Sequence, residues 1–368
     1  MSNSILITGG NGYLGLRLAQ ALLQQTDYSV QLWIHWSTDE DRKAKSEPLN
    51  EIFKEAISDE RLTICGGELS SEKPFGEIDP ATIKQIIHSA AVTRFTVEED
   101  VANNVNVEGT KKMLDFAGRC PNLEAIQLLS TVYASGLRTG MVKEEILSAG
   151  SLFSNHYERS KWESELLASQ RKDLPVNIIR ISTLISDDPS GVVSQQNAFH
   201  NTLKLFYYGL LSLFPGEKNT PLYFVTGDFV VDAIMAIFNC KQTGKIYHVC
   251  HRASDTATLE QLVDSVFDTF GAYPDFKVRR VMKPLWADVE SFQLLNDGMG
   301  SLSGGVVAQA VSSVAPFSRQ LFAAKDFDNS NLRSVMPSYS APDPLMLINN
   351  TARYLADTKW GRQMQHVH

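Results

Sequence analysis

The 368-residue sequence has little that would suit a membrane, a nucleic acid or a metal ion. No apolar run approaches the roughly 20 residues that a helix needs to cross a bilayer. Acidic residues outnumber basic ones by 42 to 34, and the net charge of −8 argues against nucleic acid or an acidic membrane surface as the main partner. The 4 cysteines show no C-x-x-C or other ligand-like spacing, so we expect no metal site.

The beginning of the chain and its cysteines bear on the compartment. The N-terminus lacks a basic segment followed by an apolar one, and it runs directly into a predicted strand. Cys65 and Cys250 end predicted strands, where we expect packed thiols in a reducing environment. The sequence therefore predicts a cytoplasmic protein.

A glycine-rich turn follows the first predicted strand, Ser4–Thr8. Gly9, Gly12 and Gly15 form the pattern G-x-x-G-x-x-G, and an amphipathic helix follows. Such a turn lets backbone N–H groups and a helix N-terminus approach a pyrophosphate without obstruction by Cβ atoms. The turn is therefore predicted to bind a dinucleotide through Gly9, Asn11, Gly12, Tyr13, Leu14 and Gly15.

The end of the second predicted strand, Ser29–His35, bears on which dinucleotide is bound. A fold that prefers NAD usually has Asp or Glu there to bind the ribose 2′-hydroxyl, whereas this sequence has His35. Arg42 and Lys43 follow in a predicted polar loop, where they could hold a 2′-phosphate, and this favours NADP over NAD. The acidic run 39–41 weakens this argument, and a solvated charged loop is equally consistent with the pattern.

Strands and helices alternate along the first two thirds of the chain. Further strands are predicted at 61–65, 85–89, 125–129 and Val176–Ile181, with helical segments between them. This alternation predicts the α/β class with a doubly wound parallel sheet, and ligands bind such sheets at the carboxyl ends of the strands. We therefore expect the residues that follow two of these strands to contact the cofactor: Glu68, Leu69, Ala90 and Ala91.

A tyrosine and a lysine, Tyr157 and Lys161, lie four residues apart in a predicted helix. At this spacing both side chains project from one helix face. An ammonium beside a phenol favours the phenolate, so we expect Lys161 to lower the pKa of Tyr157 and to allow proton exchange near neutral pH. The same spacing is also typical of an ordinary solvated helix face.

Taken together, five motifs resemble the extended short-chain dehydrogenase/reductase family. They are T-G-G-N-G-Y-L-G at 8–15, H-S-A-A at 88–91, N-x-x-G-T at 106–110, L-S-T-V-Y at 129–133 and Y-E-R-S-K at 157–161. Within the family, the chain looks most like the branch of thioester reductase domains and fatty acyl-CoA reductases, the male-sterility type. The Ser130-Thr131 pair and Y-x-x-S-K-W-x-x-E at 157–165 carry this narrower resemblance.

The resemblance implies a catalytic set of Thr131, Tyr157 and Lys161. Tyr157 would protonate the developing oxyanion as hydride arrives from the nicotinamide, and both Tyr157 and Lys161 would contact the cofactor. Lys161 would hold the nicotinamide ribose and depress the pKa of the tyrosine. Thr131 would hydrogen-bond the substrate carbonyl, with Ser130 as the alternative. Asn106 would brace the sheet or the lysine.

The resemblance also implies a division of the chain. Residues 1–186 and 225–250 would form an NAD(P)-binding Rossmann domain, and residues 187–224 and 251–368 a smaller, mainly helical substrate-binding region. Apolar and aromatic residues within 195–214 would suit a lipid-like or polyketide chain, although they could equally form the core of this region.

The implied function is NAD(P)H-dependent reduction of an acyl thioester to an aldehyde or alcohol. Because no carrier or adenylation domain is fused, the acyl group would arrive on coenzyme A or on a separate acyl carrier protein. Oxidoreduction of a ketone or alcohol, or epimerisation of a sugar nucleotide, would use the same three residues. A non-catalytic dinucleotide sensor that binds protein partners is a further alternative, which the intact Tyr157 and Lys161 pair argues against.

Overall fold

A computed structural model describes residues 3–301 and 305–361 of the chain. Strands and helices alternate through most of it. The strands are β1 (Ser4–Thr8), β2 (Ser29–His35), β3 (Leu62–Gly67), β4 (Ile83–His88), β5 (Ala125–Thr131), β6 (Gly140–Val142), β7 (Val176–Ile181), β8 (Thr183–Ser186), β9 (Leu213–Pro215), β10 (Pro221–Leu222), β11 (Phe224–Thr226), β12 (Ile246–Val249), β13 (Ala257–Thr258), β14 (Leu285–Ala287) and β15 (Lys325–Phe327).

The helices connect these strands and build the C-terminal part. They are α1 (Tyr13–Gln25), α2 (Asp39–Ile52), α3 (Lys54–Ser58), α4 (Glu99–Ala102), α5 (Gly109–Ala117), α6 (His156–Gln170), α7 (Ala198–Tyr208), α8 (Gly227–Cys240), α9 (Leu259–Phe270), α10 (Pro274–Arg279), α11 (Val289–Ser301), α12 (Val306–Ser318), α13 (Ser330–Val335) and α14 (Pro344–Asp357). A π-helical stretch, Asn103–Glu108, joins α4 to α5. Within the described residues, no helix combines the length and the apolar character that crossing a bilayer requires.

A seven-stranded sheet lies at the centre, in the order β12-β7-β5-β4-β1-β2-β3. Every neighbouring pair in it is parallel. The predicted fold class, α/β with a doubly wound parallel sheet, is therefore confirmed. The chain winds outward from β1 to β3 and then returns to β4 on the other side of β1. Ligands bind doubly wound sheets where the strand order reverses in this way, at the carboxyl ends of β1 and β4.

Helices cover both faces of this sheet because its central strands are apolar on both sides. All five residues of β1 are buried, which is typical of a parallel strand packed between two helical layers. One core joins Leu18 of α1 to Ile234 of α8. The opposite core joins Met113 and Phe116 of α5 to the other face.

A separate core holds the C-terminal helices together. It includes Leu203 of α7, Val266 of α9 and Leu355 of α14. The apolar, aromatic helix predicted within 195–214 is α7, which spans Ala198–Tyr208. The Asn197 side chain caps its start, and Gly209 ends it in the left-handed conformation with φ +66°.

Part of the C-terminal region packs beside the central sheet and forms a separate two-stranded sheet there. β15 pairs with β6 in parallel, and α13 places Leu332 in the core beside α1 and α8. Residues 298–301, which the sequence predicts as part of a flexible link, belong to α11 instead. Residues 302–304 of that predicted link lie outside the described part of the chain.

Candidate active site

The glycine turn after β1 packs tightly against the end of β4. Gly9 has φ +69°, and a Cβ atom there would lie 2.8 Å from the Ala90 nitrogen. A Cβ atom on Gly15 would lie 2.2 Å from the Gly9 oxygen. Gly12 precedes α1, and Asn11 is exposed beside it. The turn therefore places an exposed glycine without a Cβ atom at the N-cap of α1, as a pyrophosphate site requires.

Tyr13 begins α1 and ties the turn to the segment after β8. Its hydroxyl donates a 2.8 Å hydrogen bond to Asp187 Oδ1, and the Arg17 guanidinium lies 4.3 Å from the centre of its ring. Arg17 also pairs with Asp187 at 3.0 Å. Leu14 packs against the core beneath the turn. The turn is thus braced from one side by an ion pair and a ring contact.

The segment that follows β2 differs from the prediction, because Arg42 lies in the first turn of α2 and not in a loop. The reason is an N-cap: the Thr38 hydroxyl accepts a hydrogen bond from the Asp41 nitrogen at 3.1 Å. The Arg42 guanidinium lies 5.1 Å from the centre of the Trp36 ring. Lys43 is helical as well, with its side chain 80% exposed.

The cation that reaches His35 is Lys45, which sequence reasoning missed. Its Nζ donates to the His35 carbonyl oxygen at 3.0 Å and lies 3.5 Å from His35 Nδ1. It also pairs with Asp41 at 2.8 Å, and this contact lowers the pKa of that carboxyl group. Only the helical conformation of α2 brings residue 45 back to the end of β2, so a loop prediction hides it.

The remaining predicted cofactor contacts lie after β3 and β4. Leu69 is buried against α5, where a Cβ on Gly109 would approach its Cδ2 to 2.4 Å, while Glu68 is exposed. Ala90 and Ala91 are half-buried beside the glycine turn. The Ala90 nitrogen donates to Thr8 Oγ1 at 3.2 Å.

His88, at the end of β4, is a structural residue. Its Nδ1 lies 2.8 Å from Thr8 Oγ1, and its Nε2 lies 3.4 Å from Thr110 Oγ1. Burial, with a smaller effect of the Lys161 charge, lowers its pKa to about 3. His88 is therefore neutral at physiological pH and links β1 to α5.

The three predicted catalytic residues meet at the carboxyl end of β5. Thr131 is the last residue of this strand, and α6 carries Tyr157 and Lys161 on one face. The Thr131 side chain lies near the Tyr157 phenol, and its hydroxyl accepts a 3.3 Å hydrogen bond from the Tyr133 nitrogen. Lys161 is buried and its Nζ donates to the Leu129 carbonyl oxygen at 2.8 Å.

The structure does not bear out the lowered tyrosine pKa that the sequence predicts. Burial raises the pKa of Tyr157, and the charge of Glu158 raises it further, while the nearby Thr131 side chain acts in the opposite direction. Burial also lowers the pKa of Lys161 to about 8, against the effect of Glu165. The cost of burying a charge therefore outweighs the attraction that the four-residue spacing implied.

Ser130, the alternative to Thr131, has a different partner. Its hydroxyl donates a 2.6 Å hydrogen bond to Glu165, which also forms a fully buried ion pair with Arg180 at 2.7 Å. Arg180 in turn contacts His248 at 3.1 Å. Ser130 belongs to this buried network under the sheet end, and Thr131 is the residue that faces Tyr157.

Asn106 lies in the π-helical stretch and braces the catalytic helix. Its side chain exchanges hydrogen bonds with the backbone of Val92 at 2.8 and 3.0 Å. Its Nδ2 also donates to Ser160 Oγ at 2.9 Å, and its carbonyl oxygen accepts from Ser164 at 2.8 Å. Asn106 thus holds the loop after β4 against α6.

Phe95 packs against Tyr157 and joins it to two further aromatic rings, and sequence reasoning missed both Phe95 and Phe317. The Phe95 ring centre lies 5.9 Å from those of Tyr133, Tyr157 and Phe317. Phe95 comes from the loop after β4, and Phe317 from the end of α12. No local pattern marks either residue, because both reach the site only through the fold.

The arrangement can hold a dinucleotide and transfer a proton. The glycine N-cap of α1 and the half-buried alanines after β4 fit a pyrophosphate and a flat ring. A tyrosine hydroxyl and a threonine hydroxyl converge at the same strand end. Among the residues that the structure describes, no group of three or more His, Cys, Asp and Glu side chains is placed to hold a metal ion.

Sequence comparison matches most of the central sheet to a known family. The sequence model described as Male sterility protein, an NAD-binding family, matches residues 7–234. Fatty acyl-CoA reductase 2, chloroplastic, from Arabidopsis thaliana is 23% identical over 368 aligned residues, which cover 75% of this chain and 60% of that enzyme. The chain therefore spans less than two thirds of this relative, and it spans as little as 4% of another curated relative.

Solved structures share the fold along nearly the whole chain. The terminal R domain from the myxalamid PKS-NRPS biosynthetic pathway superposes with a TM-score of 0.75 at 20% identity, covering 98% of this chain and 92% of that one. A thiolation-reductase di-domain from an archaeal non-ribosomal peptide synthetase gives a TM-score of 0.70 at 18% identity, covering 98% and 76%.

Proposed function

The chain belongs to the NAD-binding family described as male sterility protein, within the extended short-chain dehydrogenase/reductases, and we propose that it reduces an acyl thioester with NADPH. Nicotinamide-dependent oxidoreduction is the common chemistry of this family. The product is an aldehyde, or an alcohol if a second reduction follows.

One observation carries the proposal: Thr131 and Tyr157 lie near each other at the carboxyl end of the sheet, with Lys161 one turn further along α6. Two hydroxyl donors at one point suit an oxygen that gains negative charge during a reaction. A dinucleotide sensor needs neither donor. The buried position of Lys161 also favours a role at a binding site over a solvated helix face.

The bound dinucleotide supplies hydride to the carbonyl carbon of the thioester, and residues of the chain do the rest. Thr131 donates a hydrogen bond to the carbonyl oxygen, and Tyr157 donates the proton that this oxygen gains. The raised pKa of Tyr157 keeps the phenol protonated, as a proton donor must be. The carbon–sulfur bond of the resulting hemithioacetal then breaks, its hydroxyl proton passes to the leaving sulfur, and the aldehyde remains, while Tyr157 regains its proton from solvent. Lys161 is positioned to hold the ribose.

We propose that the cofactor is held by the residues named above around β1 to β4: Gly9, Asn11, Gly12, Tyr13, Leu14, Gly15, His35, Arg42, Glu68, Leu69, Ala90 and Ala91. NADPH is favoured because the end of β2 lacks a carboxylate for the 2′-hydroxyl and has Lys45 and Arg42 nearby. Asp41, which pairs with Lys45, opposes this preference.

We assign cofactor binding to residues 1–186 and 225–250, and substrate binding to residues 187–224 and 251–368. The separate core of α7, α9 and α14 supports this division, although α13 packs on the sheet. The Phe95 ring against Tyr157, with Tyr133 and Phe317 packed on Phe95, suits an apolar acyl chain. The acyl group is proposed to arrive on coenzyme A or an acyl carrier protein, and the fold shared with the thiolation-reductase di-domain is consistent with the second.

The test is oxidation of NADPH and NADH by the purified protein with a panel of acyl-CoA thioesters, acyl carrier protein thioesters and the matching aldehydes. Tyr157→Phe is the comparison, since it keeps the ring and removes the proton. Turnover with thioesters that falls at least about 100-fold in the variant supports the proposal. Turnover with ketones or aldehydes alone would make the protein a different oxidoreductase of the same family. Tight cofactor binding without turnover on any carbonyl would favour the sensor.

A further inference from the structure

Glu158 follows the proposed proton donor in sequence, yet its side chain points into the protein. It has no exposed surface, whereas Glu163 on the same helix is partly exposed and pairs with Arg159 at 3.0 Å. Nothing in the reaction proposed above uses Glu158. A carboxylate is costly to bury, so its surroundings need an explanation.

Three donors converge on this carboxylate. The Ser154 nitrogen donates to Oε2 at 3.0 Å, and Asn155 Nδ2 donates to Oε1 at 3.1 Å. Gln320 Nε2 donates to Oε2 at 2.8 Å from a short 3₁₀ helix after α12. The first two donors belong to the segment that starts α6, while the third comes from the C-terminal region.

Gln320 extends the contact to two further segments. Its Nε2 lies 3.2 Å from the carbonyl oxygen of Gly136, in the loop that follows Thr131 and Tyr133. Its Oε1 accepts a 2.5 Å hydrogen bond from Lys325 Nζ, at the start of β15. Lys325 is itself buried, and its charge offsets that of Glu158.

A further contact joins the residues just before Gln320 to the start of α6, near the tyrosine. Asn155 Nδ2 also donates to the Pro316 carbonyl oxygen at 3.0 Å. Phe317 follows directly, and its ring lies 5.9 Å from Phe95, which lies the same distance from Tyr157. The C-terminal region is therefore anchored to the start of α6 within a few residues of the proposed proton donor.

We propose that Glu158 is a positioning residue that clamps the C-terminal segment 316–325 onto the start of the catalytic helix, so that Phe317 encloses the substrate beside Tyr157. This inference rests on the proposed function for its kinetic consequence, but not for the clamp itself. The ionisable groups whose charges interact with this carboxylate or its partners are Lys325, Arg138, Tyr133 and Tyr157.

Two variants test the clamp from opposite sides. Glu158→Gln cannot satisfy all three donors, because an amide has one acceptor oxygen. Gln320→Ala removes the link and leaves the carboxylate in place. In both we expect kcat to fall about tenfold or more and the acyl-substrate KM to rise, with the Kd for NADPH within about twofold of the parent. Glu163→Gln, one turn along the same helix, is the control and should leave all three constants unchanged.

Hydrogen exchange separates this inference from the proposed function, because it needs no substrate. Faster amide exchange confined to residues 314–327 and 137–142 in Glu158→Gln and Gln320→Ala, but not in Glu163→Gln, supports the clamp even if no thioester is reduced. Parent-like exchange and kcat in both variants would overturn it. So would a loss of kcat that merely follows a loss of folded protein, measured by the thermal transition and by cofactor binding.

Discussion

The Ser130 hydroxyl donates a 2.6 Å hydrogen bond to the Glu165 carboxylate, which belongs to the buried ion pair with Arg180. Its neighbour Thr131 lies near Tyr157 instead, and its hydroxyl accepts a hydrogen bond from the Tyr133 nitrogen at 3.3 Å. Two adjacent hydroxyls at one strand end therefore have separate partners, and they should respond differently to mutation.

Thr131→Val should lower kcat about 100-fold, because it removes one donor from the oxygen that becomes negative and keeps the side-chain shape. Ser130→Ala should instead lower the free energy of unfolding by about 1–3 kcal/mol, since a buried carboxylate loses a hydrogen bond. Steady-state kinetics and urea unfolding of both variants measure the contrast. Equal effects of the two variants on kcat would contradict the assignment.

The affinity for NADPH should weaken as the pH rises through about 8, because burial lowers the pKa of Lys161 to that value and the neutral amine loses its charge. A fluorescence titration of NADPH from about pH 6.5 to 9.5 measures this Kd. Lys161→Met should bind weakly throughout the range, without the pH dependence. A constant Kd in the parent would show that the Lys161 charge does not hold the cofactor.

Rising pH should increase the contribution of Lys161 to the stability of the fold, although it weakens the binding of NADPH. Its pKa falls from 10.5 in the unfolded chain to about 8 in the fold, so the folded protein loses this proton first. The penalty for burying the ammonium is complete below pH 8 and is relieved as the pH rises from about 8 to about 10.5. The unfolding free energy of the parent relative to that of Lys161→Met should therefore increase across this window. A difference between the two that is independent of pH would contradict the prediction.

Lys45→Ala and Arg42→Ala should each weaken NADPH relative to NADH by about fivefold, equivalent to roughly 1 kcal/mol for an exposed charge contact. Both cations lie at the end of β2, in contact with His35 and Trp36. Lys43→Ala is the matched control, because this side chain is 80% exposed and turned towards Glu47. The measurement is the ratio of the Kd for NADPH to the Kd for NADH. A changed ratio in Lys43→Ala, or a parent-like ratio in Lys45→Ala and Arg42→Ala, would contradict a 2′-phosphate site at the end of β2.

Glu165→Gln should lower the free energy of unfolding by about 3 kcal/mol or more, because it leaves the fully buried Arg180 guanidinium without its counter-charge. Lys218→Ala, which breaks an exposed pair with Glu260, should cost less than about 1 kcal/mol. Denaturant unfolding of the two variants provides the comparison. A small effect of Glu165→Gln would mean that His248 and nearby carbonyl groups suffice to hold Arg180.

Local pattern was sufficient for the class of fold and for the family. The bounds of β1, β2 and β7 were predicted as the structure has them, because hydrophobic periodicity and short motifs reflect contacts along the chain. The family prediction is confirmed by the match over residues 7–234. The site assignments stay predictions, although the structure brings Thr131 and Tyr157 together as expected.

The local sequence pattern gave a wrong prediction in two places: a helix whose composition is typical of a loop, and a side chain whose pKa is determined by burial. The charged, proline-containing stretch of α2 was predicted as a loop, and Lys45 was missed with it. The pKa of Tyr157 was predicted in the wrong direction, since spacing along a helix reports neighbouring charges but not loss of solvent.

The sequence by itself determined the sheet, the glycine turn and the spacing of Tyr157 and Lys161, all of which depend on residues close together in the chain. Tertiary structure alone decided that Thr131 rather than Ser130 lies near the tyrosine, and that Phe95 packs between Tyr157 and Phe317. It also decided that Glu158 meets Gln320, 162 positions further along. The physical reason is that burial and hydrogen-bond partners depend on which distant segments the packed core brings together, and no local pattern records that choice.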